Sequence, residues 1–293
     1  MNVLTVEYGR GDSKKRFTES LRDTGFAVLS NHPIPQELIK AVFEDWAAFF
    51  TTTVKHEYLF DVKTQEGYFP FKSENAKNYN IKDLKEFYHL YEWSKLPKGL
   101  TDKTWEFFKR MSALSNELLG WVQEETPADI RSRLSMPLTQ MTEGSRETLL
   151  RPIHYPPIVG NEEVGAIRAA AHEDINLITL LPAATAPGLQ VLDNAGTWHN
   201  VSCDPGTIAI NAGDMLQMAT EGYYRSTTHR VINPADSENA GKPRYSMPLF
   251  LHPRADVRLS PQYTAKSYLE ERLREIGLIQ QKPKPAPTDS ATL

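Results

Sequence analysis

The chain holds a single cysteine, Cys203, among 293 residues. That excludes an internal disulfide and a zinc site built from several thiolates, and it fits a reducing compartment. No apolar run approaches the roughly 18 residues that cross a membrane. The first residues, Met-Asn-Val-Leu-Thr-Val-Glu-Tyr, place no basic stretch ahead of an apolar core. No signal peptide is therefore expected, and a cytoplasmic location is. Basic excess is missing as well: 33 Lys and Arg against 37 Asp and Glu leave a formal net charge of −4. With so little to neutralise phosphates, neither nucleic acid nor an anionic membrane is an expected partner. Internal repeats are absent. What remains is an ordinary globular mixture, 40% hydrophobic and 24% charged, long enough for a sizeable core. One large domain with attachments, or two intimately packed ones, is expected.

Along the chain the pattern changes once. Residues 14–23 are polar with spaced apolar positions, and Gly25 to Ser30 reads as a short buried strand. Asn31 to Pro35 is a breaker cluster, with Pro35 at a helix start. Leu38, Ile39, Val42, Phe43, Trp46, Phe49 and Phe50 recur at helical spacing, as do Trp105 to Val122 within 103–123. Residues 60–82 read as irregular. From Leu149 short apolar segments alternate with Gly, Pro, Asn and Asp: 149–155, 165–171, 177–181, 188–192, 198–201, 207–210, 228–232 and 245–251. Eight short strands with turn signals point to an all-β barrel or jelly roll. A helix follows over 263–276. The expected organisation is an N-terminal α/β region over 1–125, a jelly-roll core with its C-terminal helix over 126–279, and a flexible tail over 280–293.

The chemistry concentrates in His172-Glu173-Asp174. On a strand, residues i and i+2 share a face, so an imidazole and a carboxylate project together. His229 opens another strand segment further on. Two histidines and one carboxylate on one face of a metal form the facial triad of non-haem Fe(II) oxygenases, whose open positions take cosubstrate and dioxygen. Taken alone, the triplet is weak evidence, since such spacings arise often by chance. A second pair adds to it. Arg244 and Ser246 are again i and i+2, a guanidinium and a hydroxyl suited to a carboxylate, and the Tyr155 phenol could reach the same anion. The bland alternative is an exposed strand cation beside a neutral surface serine.

The run His172-Glu173-Asp174-Ile175-Asn176-Leu177-Ile178-Thr179-Leu180-Leu181 closely resembles the isopenicillin N synthase-like group of Fe(II)/2-oxoglutarate-dependent oxygenases. So do Gly188-Leu189-Gln190-Val191, Gly213 to Gln217, His229-Arg230-Val231 and the Arg244-Tyr245-Ser246 position. The Gly25 to His32 segment looks like the group's amino-terminal region, so the resemblance spans roughly residues 15–277. It implies a mainly β fold with flanking helices: a double-stranded β-helix, or jelly-roll, core behind the N-terminal α/β region. It implies His172, Asp174 and His229 as metal ligands and catalytic centre. Arg244 and Ser246, with Tyr155 assisting, would hold 2-oxoglutarate. The cofactor set would be Fe(II), 2-oxoglutarate as cosubstrate and dioxygen, with ascorbate as an accessory. The activity implied is hydroxylation, or desaturation or ring closure, of a small molecule with release of succinate and CO2. Phe250 and Tyr68 are candidates for the substrate pocket, with Phe69, Phe71 and Lys77 near them; packing of the first region on the barrel is the competing reading for that group. Gln190 and Asn211 take no firm role, Asp214 reads as a turn or structural residue, and Cys203 and His199 read as structural.

Two departures stand out. Ile153 occupies the place of an Asn that contacts the cosubstrate in plant members, and Pro182-Ala183 replaces a common Gln-Asp. Isopenicillin N synthase itself lacks that Asn and uses the R-x-S pair for a substrate carboxylate. The pair thus identifies an anion site, not its occupant. An iron oxidase or cyclase without 2-oxoglutarate, and a non-catalytic metal- or anion-sensing barrel, stay open at this level.

Overall fold

The computed structural model describes residues 1–74, 80–202, 204–235 and 237–280. The expected tail beyond Gln280, Cys203 and Lys77 lie outside the described residues. The N-terminal region runs β1 (Thr5–Glu7), α1 (Ser13–Thr24), β2 (Phe26–Ser30), α2 (Gln36–Thr51), β3 (Gly67–Phe69), β4 (Glu86–Tyr91) and α3 (Lys103–Glu125). Two short helices follow, α4 (Ala128–Arg131) and α5 (Leu138–Thr142). The remainder is β5 (Leu149–Leu150), β6 (Ile153–Tyr155), β7 (Ala169–His172), β8 (Ile178–Pro182), β9 (Leu189–Leu192), β10 (Trp198–Asn200) and β11 (Ile208–Ala212). After it come α6 (Asp214–Ala219), β12 (His229–Val231), α7 (Ser237–Ala240), β13 (Arg244–Ser246), β14 (Leu249–Leu251) and α8 (Ala265–Glu275). Among these residues no helix is long and apolar enough to cross a membrane.

The strands form two sheets. The larger runs β1-β2-β11-β8-β14-β5-β4-β6-β13, with β3 beside β4; the smaller runs β10-β9-β12-β7. The mainly β core with helices packed outside is the jelly-roll arrangement expected from the strand pattern. Helices α1, α2 and α3 lie against the large sheet through their apolar stripes. On α2 all seven predicted positions, from Leu38 to Phe50, are buried, and Trp46 packs edge-on to Phe49 at 5.3 Å. Gly25 ends α1 at φ 75°, its N–H on Leu21 O. A Cβ there would meet Thr227 Oγ1 at 2.2 Å, so this turn requires glycine.

Three readings of the sequence are corrected. Residues 60–82 are not all irregular, since β3 lies within them, and beyond them the unassigned β4 is six consecutive buried residues inside the large sheet. Buried on both faces, it shows no alternation of polarity, and Glu86 and His89 disguise it further. The segments 149–155 and 245–251 each split in two, at Pro152 and at Met247-Pro248. Arg151 N–H donates to Pro248 O at 3.0 Å, but proline has no N–H to return, so both ladders break at one level. Residues 214–219, unassigned in the sequence, form α6.

Around β4 lies a buried charge cluster. Lys85 Nζ sits 2.8 Å from Glu74 and 2.8 Å from Asp83. Burial would raise the Glu74 pKa, but Lys85 and Arg151 outweigh it and hold the carboxyl down at about 2. The unfolded chain, with Glu74 near its ordinary 4.5, binds a proton that the folded chain refuses in that window. The stability from this group is therefore complete above the ordinary value and is lost as pH falls toward 2. Urea midpoints measured from neutral pH down to about 3 should decline, and Glu74→Gln should flatten that decline while lowering the neutral-pH midpoint.

Candidate metal centre

His172 and His229 are direct cross-strand partners on β7 and β12. Their rings lie 4.4 Å apart, centroid to centroid. Each Nδ1 faces a backbone carbonyl two residues back: Ala170 O at 2.8 Å for His172, Thr227 O at 3.1 Å for His229. A carbonyl only accepts, so Nδ1 carries the proton and Nε2 keeps its lone pair. Both Nε2 atoms turn to Asp174 Oδ1, at 3.9 Å and 3.8 Å. The other carboxylate oxygen, Oδ2, accepts from Thr179 Oγ1 at 2.5 Å and from Asn211 Nδ2 at 2.7 Å. The three ligand atoms all lie within 4.8 Å of one another.

The geometric basis differs from the expected one. His172 ends β7, and Asp174 sits in the turn beyond it, so strand alternation does not align the two. The turn is held by α6: Asp214 N–H donates to Asp174 O at 2.7 Å. This close approach needs Gly213, where a Cβ would fall 2.2 Å from Asn176 O. Glu173 points elsewhere, accepting from Thr228 Oγ1 at 2.6 Å.

One row across the large sheet forms the floor beneath Asp174. Phe26 on β2 pairs with Asn211 on β11, which pairs with Thr179 on β8, which pairs with Phe250 on β14. Directly paired residues share a face, and Thr179 and Asn211 both donate to Asp174. The same row places Phe26 edge-on to the His229 ring at 5.4 Å, and Phe250 beside Thr179. Phe250, half-buried, is thus brought to the metal side. Tyr68 is not: it is 1% exposed, inside the aromatic core, with its hydroxyl on Glu86.

The donor set fits a ferrous ion. Two neutral imidazoles and one carboxylate form the two-His, one-carboxylate set, and bonds of roughly 2.0–2.2 Å can bridge the observed Nε2–Oδ1 separations. Burial, then the neighbouring His229, pushes the His172 pKa down to about 4, so its imidazole is neutral at physiological pH. Burial would raise the Asp174 pKa, but His229 and His172, with the donors Asn211 and Thr179, outweigh it and hold the group below the ordinary carboxylate value. His172 and Asp174 are thus in their metal-binding protonation states.

Arg244 and Ser246 are 2% and 3% exposed, side by side on β13, which excludes the surface-cation reading. Arg244 pairs with Tyr155 across β6, its Cζ 5.0 Å from the Tyr155 ring centroid, and its Nε donates to Ala186 O at 2.9 Å. Arg168 escaped the sequence reading. It is 1% exposed, and burial, then Arg244 beside it, lowers its pKa. Among the described residues its side chain makes one hydrogen bond, Nη2 to Lys242 O at 3.4 Å. Two buried guanidiniums thus meet at Tyr155. His199 is bound to Asp193 at 2.6 Å and Gln190 joins Asn200 and Arg230, neither bonding a ligand residue, while the Asp214 carboxylate accepts from Tyr268 at 2.7 Å as its N–H holds the Asp174 carbonyl.

The sequence showed Thr179 only as a strand residue and gave Asn211, just past the expected 207–210 strand, no firm role. Because Asn211 orients Asp174, Asn211→Leu should weaken Fe(II) binding by about 10–100-fold with the fold intact. Anaerobic Fe(II) titration beside a thermal melt of the metal-free protein measures both.

Comparison with known proteins agrees with this geometry. Residues 146–253 match the profile of the 2OG-Fe(II) oxygenase superfamily, and residues 9–111 match that of the non-haem dioxygenase N-terminal region named for morphine synthesis. A 2-oxoglutarate-Fe(II) type oxidoreductase of Aspergillus fumigatus is 30% identical over 277 residues, covering 84% of this chain and 80% of that protein. Jasmonate-induced oxygenase 1 of Arabidopsis thaliana is 28% identical over 269 residues, 86% of this chain; the chain spans 63% of that protein's length. A solved structure from Shewanella oneidensis, assigned as an oxygenase, is 50% identical with a TM-score of 0.85, covering 95% of this chain and 100% of its own.

Proposed function

The chain belongs to the 2OG-Fe(II) oxygenase superfamily, and from that premise we propose that His172, Asp174 and His229 hold the iron of a 2-oxoglutarate-dependent oxidoreductase acting on a small molecule. The observation that carries this reading is the convergence of both Nε2 atoms and Asp174 Oδ1, with every other polar atom of the three side chains already satisfied by protein. Bound there, Fe(II) with 2-oxoglutarate and dioxygen supplies the oxidising power for C–H hydroxylation, desaturation or ring closure, with succinate and CO2 as coproducts.

The chain's own contribution is binding and orientation. The backbone carbonyls of Ala170 and Thr227 fix both imidazoles in the Nε2-ligating tautomer. Thr179 and Asn211 keep one carboxylate oxygen occupied, so Asp174 offers the other. Arg244 and Ser246 take the distal carboxylate of 2-oxoglutarate, and Arg168 adds positive potential to the same buried end, where a carboxylate offsets the cost of burying both cations. Neighbours of this fold have been solved with α-KG and thymine, and with 2OG, Fe and JA; small organic molecules are the substrate class this supports. The test is stoichiometric: substrate-stimulated turnover should release one succinate per 2-oxoglutarate, and a chelator should stop it. Oxygen uptake driven by substrate without succinate would replace this reading with the iron oxidase.

A further inference from the structure

Arg151 lies in the gap between β5 and β6, where Pro152 breaks the ladder. Its guanidinium is clamped between two aromatic rings, Cζ 5.0 Å from the Phe87 centroid and 5.1 Å from that of Phe250. Two ring faces favour one orientation of a planar cation that is itself half-buried. Yet among the described residues the guanidinium makes no hydrogen bond, and its Nε is buried without a partner. Arg151 acts on the nearby charge cluster only at a distance, helping Lys85 hold Glu74 ionised without contacting it. Glu74 and Asp83 are both engaged with Lys85 at 2.8 Å, and no described carboxylate comes within ion-pairing distance of Arg151.

Its position ties it to the metal centre. Phe250, which forms one side of the clamp, is the direct cross-strand partner of Thr179, the residue that donates to Asp174. His252, two residues on, lies within electrostatic reach of both Asp174 and Arg151. At His252, and not at Arg151 itself, begins a cavity of about 220 Å³ whose lining includes Gln65, Met215, Lys266, Glu147 and Glu270. The buried Nε2 of His89, whose ring sits 5.3 Å from Phe87, is a second polar atom without a partner.

Resting on the iron centre proposed above, we propose that Arg151 is the substrate-recognition residue and that the primary substrate is a small carboxylic acid. Its carboxylate takes the fork of Arg151, and the rest of the molecule lies along Phe250 toward the His172–Asp174–His229 centre. A fixed guanidinium with every donor unspent matches two coplanar oxygens. A neutral carbonyl, with one acceptor oxygen, would engage only one arm of that fork and leave its charge unbalanced. The site is separate from the Arg244–Ser246 pair, so one chain holds one cation for the cosubstrate and another for the substrate.

The test uses benzoate, phenylacetate and hexanoate, each against its own primary amide. Binding is measured by calorimetry on the anaerobic protein loaded with Fe(II) and 2-oxoglutarate. The expected result is at least one acid bound about tenfold to a hundredfold tighter than its amide. Arg151→Gln should erase that preference, and Arg151→Lys, which keeps the charge but not the fork, should retain part of it. An unchanged thermal melt and unchanged 2-oxoglutarate affinity in Arg151→Gln show that its fold is intact. Absence of any acid preference in the wild-type protein, or its persistence in Arg151→Gln, overturns the proposal. Failure of the iron reading is distinguishable: the 2-oxoglutarate signal would then be missing, while the metal-free protein would still report the acid–amide difference.

Discussion

Replacing His172 or Asp174 by alanine is expected to abolish Fe(II) binding and all iron-dependent turnover. Each supplies one of only three protein ligand atoms, and the carboxylate is the sole anion of the set. The loss should exceed the roughly 10–100-fold cost of removing an outer partner such as Asn211. Stability gives an independent readout. A ligand that binds only the folded state stabilises by about 2.7 kcal/mol at a hundred times its Kd. Fe(II) should therefore raise the melting temperature of the wild-type protein and leave both variants unmoved. Asp174→Ala should also lower the metal-free melt, since Thr179 and Asn211 lose the carboxylate they donate to. Full iron stoichiometry with retained turnover in either variant would remove these residues from the metal site.

Arg244→Leu carries the second large effect. The guanidinium is buried beside Ser246 and across from Tyr155. Charge-assisted hydrogen bonds are worth about 1.5–3 kcal/mol, so 2-oxoglutarate affinity should fall by about 10–150-fold. Fe(II) affinity should change little, because no metal ligand contacts this side chain among the described hydrogen bonds. Arg244→Lys should recover only part of the loss, since an ammonium cannot present the planar fork. Unchanged 2-oxoglutarate affinity would mean that the pair holds a different carboxylate, as in isopenicillin N synthase.

Alone, His172, Asp174 and His229 were a weak signal, because such triplets arise by chance; the Arg244–Ser246 pair and the ordered motifs around them made the three readable. How they converge was not readable. Asp174 lies beyond the strand end, and its position depends on α6 and on the room left by Gly213. The floor row Phe26, Asn211, Thr179 and Phe250 joins four strands far apart in sequence, and only sheet register makes them neighbours. Arg168 looks like an ordinary surface cation until its burial is known, and Arg151 until the Phe87 and Phe250 rings beside it are. The helix stripes were legible because amphipathic periodicity needs no partner; β4 was not, since a strand buried on both faces has none. The substrate-pocket candidates divide on the same ground: Phe250 stands in the floor row, while the core claims Tyr68.

The account rests on one centre that binds iron and then 2-oxoglutarate. Anaerobic titration of the metal-free protein with Fe(II), followed by 2-oxoglutarate, tests it most directly through the visible charge-transfer band of the chelate. A saturable band at one iron per chain, weakened in Arg244→Leu and absent in Asp174→Ala, is the predicted result. Iron binding with no band at any 2-oxoglutarate concentration, or no iron binding at all, would contradict it.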